Sequence, residues 1–325
     1  MNRLYSLALP LIVAAGGAIP TIPTLRPPGP PTNGIVATES GTIFFVDSFH
    51  RTVWRLEPGR GLSAFVSGFN GRALQVDEDG NLYGTHEDAS GRVNIWRADC
   101  RGNIAELAHN EVPQYGHAFV VEEDGDVIAS SGSGKRTGVR LWRASEHESH
   151  LIAGGEMGFR DGPGAKARFF PIGSMTLAPN GELLVTSGHT IRRVGADGSV
   201  TTIAADDRLL KPRSTFLSRL LGSVRGHLSG IAVGRSGEIY VANSARNSVV
   251  RVLANGSTEE IVTSDHGWTP TGVAFADGSL YILEYGRGVR VRRIDADGTL
   301  SVLALVRPDR TLAASIPLNR AFARG

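Results

Sequence analysis

The 325-residue chain holds one cysteine, Cys100, and three lysines, Lys135, Lys166 and Lys211. A single thiol excludes an internal disulfide, a zinc site built from several cysteines and a Cys-x-x-Cys redox pair. No activating partner for Cys100 stands out in the sequence, so it reads as buried filler. The shortage of lysine leaves nearly all the positive charge on arginine, and the formal net charge is only +2. No basic stripe with interleaved aromatics accompanies it, which argues against a nucleic-acid partner. Apolar runs are too short for a transmembrane span. The chain also lacks a Gly-x-Ser-x-Gly elbow, a His-Glu-x-x-His pair and a phosphate-binding loop. Helical segments between the strands are missing, which removes an α/β fold.

What is present is repetition. Six copies of one phrase run small residue, apolar strand, Asp/Asn/Ser-Gly turn, apolar strand, beginning at Gly34, Ala73, Ala118, Ser174, Gly230 and Gly272. Their starts are 39, 45, 56, 56 and 42 residues apart. A strand-and-turn repeat of about 40 residues predicts an all-β propeller with one blade per copy. A third strand follows each phrase (TVWRLEPG, VNIWRADC, VRLWRASE, TIRRVGADG, SVVRVLANG, VRVRRIDADG) and then a fourth, so each blade is four-stranded and antiparallel. The 41 glycines suit a fold with so many tight turns. One arginine of each third strand falls at the same blade position (Arg55, Arg97, Arg143, Arg193, Arg251 and Arg293), and repetition at one blade position points to a structural contact.

The domain plan follows. Residues 1–18 resemble a secretory signal peptide, with Arg3 before the apolar run Leu4 to Ala15 and small residues through Ala18. The rival reading makes this stretch an outer strand that closes the ring. Export to the periplasm or exterior goes with the first reading and a cytoplasmic location with the second. Residues 19–32 form a proline-rich lead, 33–307 the six-bladed propeller and 308–325 a tail. Two insertions, around 154–172 and 205–229, join the outer strand of one blade to the inner strand of the next, where a lid or specificity element usually sits. The second should contain a short helix from Ser214 to Leu221.

Blade geometry nominates a site. The residue before each inner strand and the residue ending each second strand should meet at one channel mouth. The first set is Asn33, Arg72, His117, Gly173, Ser229 and Thr271; the second is Asp47, His86, Ser131, Ser187, Asn243 and Glu284. From these, Asn33, Asp47, Arg72, His86, His117, Asn243 and Glu284 are the candidate ligand-binding residues, with Arg72 able to pair an anionic group. His50, His227, Trp268 and Tyr285 stand as second-rank neighbours. His86 and His117 form a candidate Zn²⁺ pair, since imidazole suits that ion, with a third ligand from Asp47, Glu284 or His227. Asp47 and Glu284 would instead supply oxygens to Ca²⁺. The plain alternative is a solvated polar channel.

The run Gly158-Phe-Arg-Asp-Gly-Pro-Gly-Ala-Lys-Ala-Arg-Phe-Phe-Pro-Ile-Gly-Ser-Met-Thr-Leu resembles the NHL repeat signature, as do Ser229-Gly-Ile-Ala-Val with Gly237-Glu-Ile-Tyr-Val-Ala-Asn, and Pro270-Thr-Gly-Val-Ala-Phe with Gly278-Ser-Leu-Tyr. The resemblance implies a six-bladed propeller over about Asn33 to Ala304. It extends to the related SMP-30/gluconolactonase and peptidyl-amidoglycolate lyase designs, which implies a metal in the central channel. The chain departs from the lactonase pattern: Asn33-Gly34-Ile35 replaces a Glu-Gly-Pro opening, and Asn243 replaces an Asp. The lyase pattern of Pro-His before an inner strand is matched only by Gly116-His117. Fold alone does not assign activity. The expectation is therefore an exported, monomeric propeller that binds a small polar molecule or a protein partner. The alternative is a metal-dependent hydrolase, lactonase-like, or a lyase.

Overall fold

The computed structural model describes residues 33–69, 71–107, 115–134, 138–145, 148–205 and 228–308. They form six antiparallel sheets, each built from consecutive strands. The inner strands are Ile35–Ala37, Gly71–Val76, Tyr115–Val121, Ile172–Leu177, Leu228–Val233 and Thr269–Ala276. Each contacts the inner strand of the next blade, and the first contacts the sixth, so the ring is closed. Five blades have four strands. The fourth has a fifth, because Gly162–Pro163 pairs with its outer strand Ser199–Ala204. The one helical piece among the described residues is the short 3₁₀ turn Gly164–Lys166. No described helix is long and apolar enough to cross a membrane. The expected helix at Ser214 to Leu221, His227, and residues 1–32 lie outside the described residues.

Both faces of each blade are apolar because both pack against neighbours, so the strands read as near-continuous hydrophobic runs. The consecutive residues Leu183, Leu184 and Val185 are all buried, and Ile43 to Val46 are likewise buried on both sides. Removing such side chains from water contributes about 1.5–3 kcal/mol each. The seam between blades 6 and 1 uses the same packing, with Ile35 and Phe45 against Leu283 and Val291. It adds one clasp: the Tyr285 hydroxyl donates to the Val46 carbonyl at 2.6 Å and accepts the Ser48 amide at 3.3 Å. No described strand crosses this seam.

The arginine column is structural, as its repetition suggests. Each of the six sits directly opposite one second-strand residue: Phe44, Tyr83, Ile128, Leu184, Tyr240 or Tyr281. Arg143 pairs Glu122 at 2.6 Å, Arg251 pairs Glu259 at 2.7 Å, and Arg97 lies over the Tyr83 ring. Cys100 departs from expectation. It is exposed, because it occupies the tight Asp99–Gly102 turn, where a short side chain has nothing to pack on.

The first insertion is not a free lid. Arg192, on the third strand Thr190–Val194, is fully buried and reaches into it. Its guanidinium donates to the carbonyls of Arg168 at 3.2 Å and Arg160 at 3.0 Å, and to Asp161 at 2.5 Å. The rings of Phe159 and Phe169 lie 4.9 and 5.3 Å from its guanidinium carbon. Asp161 in turn accepts the amide and hydroxyl of Thr202, on the outer strand. The loop is therefore pinned to blade 4 and covers an edge strand that would otherwise present unpaired backbone groups.

Candidate functional site

The inner strands begin so close together that Gly34, Gly230 and Gly272 leave no room for a side chain. A Cβ on Gly272 would lie 2.5 Å from the Asn33 carbonyl oxygen, and one on Gly230 would lie 2.7 Å from the Gly272 Cα. Asn33 uses this narrowness: its amide donates to the Gly173 carbonyl at 2.8 Å, from blade 1 to blade 4 on the opposite side of the ring. Below this bridge a cavity of about 150 Å³ runs along the inner strands, past Gln75 and Thr176 to Ala37, Val233 and Phe275. It is smaller than the few hundred Å³ usual for ligand pockets. Of the seven candidate residues, only Asn33 lines it.

Two more ring positions meet beside the mouth. Arg72, within the blade 2 inner strand, donates to Glu87 at 3.2 Å. His117, of the blade 3 inner strand, places Nε2 3.7 Å from the same Glu87 oxygen. The His117 side chain is 34% exposed, yet its Nδ1 is buried with no hydrogen-bond partner among the described residues. Burial, and then the Arg72 charge, push the imidazole pKa down to about 4 against the opposing pull of Glu87. The site thus sets a neutral imidazole beside the Arg72–Glu87 ion pair, a set with the donors to bind an anion.

Glu87 was missed in the sequence. It follows His86 by one residue, and successive strand side chains point to opposite faces. His86 falls on the other face of blade 2, against the Phe69 ring at 5.0 Å. Burial and the Arg51 charge lower its pKa. The alternation that separates His86 from Glu87 was a readable signal.

The second-strand ends do not converge on the axis, which corrects the expected single pocket of Asp47, His86, His117, Asn243 and Glu284. Register places each on the same sheet face as a third-strand residue two positions along: Trp54, Trp96, Trp142, Arg192, Val250 and Arg292. Asp47, Ser131 and Glu284 bond to that column, while Ser187 donates to the Phe170 carbonyl. Asp47, fully buried, accepts from Trp54 Nε1 at 3.0 Å, from the amides of Phe49 and His50, and pairs His50 Nδ1 at 2.6 Å. Ser131 accepts from Trp142 Nε1 at 2.8 Å. Glu284, also fully buried, takes Arg292 and Arg290 at 2.6 Å each, and the Ser264 hydroxyl at 2.5 Å. In blade 5 the counterpart is Val250, and the buried Asn243 side-chain amide has no partner among the described residues.

This arrangement does not fit a channel metal. Both Asp47 oxygens are taken by four donors, and both Glu284 oxygens are held by arginines. His86 and His117 stand on different faces. Among the described residues, no three His, Cys, Asp or Glu side chains gather as a metal-binding group.

No protein-family model matches the chain, and no curated protein matches its sequence. Solved structures match its shape. A gluconolactonase from Xanthomonas campestris shares 14% identity over 83% of this chain and 85% of its own, with a TM-score of 0.58. Virginiamycin B lyase from Staphylococcus aureus shares 15% over 85% of each chain, with a TM-score of 0.55. The calcium-binding protein regucalcin from Agrobacterium tumefaciens shares 15% over 79% and 83%, with a TM-score of 0.52. At such identity the likeness is one of fold, and the chain is a six-bladed β-propeller with neighbours among propeller lactonases and lyases.

Proposed function

We propose that the protein is an exported, monomeric propeller of the NHL type that binds a small polar, anionic ligand beside the channel mouth. The observation that carries this reading is the Arg72–Glu87–His117 group, assembled from two blades next to the axis that Asn33 bridges. Arg72 supplies the charge and a planar fork of donors suited to a carboxylate or phosphate. His117 offers a neutral nitrogen to a ligand hydroxyl. Removing a hydrogen bond to a charged group costs about 1.5–3 kcal/mol, or about tenfold to a hundredfold in affinity. Arg72→Ala and His117→Ala should each weaken binding by about that factor in calorimetric titrations against a panel of small hydroxy acids and phosphates. Asp47→Ala should leave the affinity of folded protein unchanged. If every panel member binds Arg72→Ala as well as the parent, the reading fails.

The second reading is a hydrolase or lyase, in keeping with the gluconolactonase and lyase neighbours. The geometry of His117 is what favours it: an imidazole with an unpartnered Nδ1 among the described residues stands beside a carboxylate and a guanidinium, although a pKa of about 4 makes it a weak base at neutral pH. The metal-dependent form of that reading lacks a fitting donor set among the described residues. Turnover of a lactone and ester panel, with and without chelator, separates the two. Export rests on residues 1–18 acting as a signal peptide. Intact-mass measurement of protein secreted by an exporting host should then show a start near Ile19, whereas retention of Met1, together with instability on deleting residues 1–18, supports the closing-strand alternative.

A further inference from the structure

We infer that Arg290 heads a second anion-binding subsite, in blade 6, where the Asp265 carboxylate occupies the place of a small external oxyanion. The first ground is charge balance. Arg290 and Arg292 are 8% and 3% exposed, and the buried carboxylate between them is Glu284. Both Glu284 oxygens are already used, one on Arg290 Nε and one on Arg292 Nη2. The second buried positive charge is balanced by Asp265, whose side chain is 66% exposed. Water on the Asp265 side screens this pair and weakens it relative to the buried Glu284 contacts.

The second ground is an unfilled fork. Asp265 meets Arg290 through a single contact, Oδ2 to Nη1 at 2.8 Å. The adjacent Nη2 is buried and has no acceptor among the described residues. Buried guanidinium donors are ordinarily satisfied, and a carboxylate or phosphate spans two such nitrogens at once. An external oxyanion bound to Nη1 and Nη2 would make both contacts where Asp265 makes one.

The third ground is the cover. Asp265 and Trp268 close one turn, with the Trp268 amide donating to the Asp265 carbonyl at 3.0 Å, and Gly267 takes φ +86°. The Trp268 ring lies 4.4 Å from the Arg290 guanidinium carbon. It seats against Gly286, where a Cβ would collide with the Gly267 carbonyl and crowd the ring. The turn ends before the inner strand Thr269–Ala276. It can therefore lift, carrying Asp265 away, without breaking a sheet ladder.

Trp268 reports on the site. Inorganic phosphate, titrated against chloride at constant ionic strength, should give a saturable change in tryptophan fluorescence. Asp265→Asn should tighten that response about tenfold by removing the resident charge, and Arg290→Lys should weaken it about tenfold or more. Trp268→Phe should abolish the signal, and Arg72→Ala should leave it in place. The inference is overturned by an unsaturable response, by Asp265→Asn with unchanged or weaker affinity, or by a response that survives in Trp268→Phe. Loss of the signal in Arg72→Ala would place the anion at the mouth and also overturn it, while leaving the mouth reading intact.

Discussion

Arg192→Ala should lower the unfolding free energy by about 3 kcal/mol and turn the 156–171 segment into the first site of proteolysis. The guanidinium is fully buried between two phenylalanine rings and holds two backbone carbonyls and Asp161. Its removal leaves those acceptors unpaired and opens a void, and losing one partner of a buried ion pair costs about 3–5 kcal/mol. The lower end applies because Asp161 is 46% exposed and regains water. Urea unfolding gives the free energy, and brief trypsin digestion followed by mass mapping gives the site of cutting. A stability change under about 1 kcal/mol would mean that the insertion does not depend on this clamp.

Glu284→Ala should be at least as costly, by about 4 kcal/mol, because it leaves the buried Arg292 with no carboxylate and Arg290 with only the water-facing Asp265. Glu284→Gln keeps the volume and should recover only a minor part of the loss, since a neutral amide cannot balance either charge. Neither substitution should change ligand affinity at Arg72, because Glu284 faces its own third strand. Denaturation midpoints and titrations on the same preparations test both halves. Near-native stability of Glu284→Ala would remove the structural role given to this residue.

The fold was legible because its signal is repeated. Six Gly-containing turns at similar spacing each specify a hairpin, and errors at one copy are corrected by the other five. The site was legible in part. Asn33, Arg72 and His117 precede or open inner strands, where the close approach of the chains forces them toward the axis whatever their detailed register. The second-strand ends failed because a strand terminus can face either neighbour. Which face it takes is settled by a partner on another strand, Trp54 for Asp47 and Arg292 for Glu284. Nothing local in the sequence ties those third-strand partners to the carboxylates. Glu87 was lost to the same ambiguity, one residue from His86.

The seam between blades 6 and 1 bears on how the chain reaches its ring. Every backbone ladder among the described residues closes within one blade, and all but the Gly162–Pro163 pairing join strands that are neighbours in sequence, so hairpin formation carries a small closure entropy. Among the described residues, the long-range step, bringing Ile35 to Leu283, rests on side-chain packing and the Tyr285 hydroxyl, with no strand pairing across it. A blade can therefore complete its hydrogen bonding before its distant neighbour exists, and the first five can form in chain order while the sixth is still being synthesised. The same economy makes the seam the natural line of opening, where the ring parts without breaking a single strand pair.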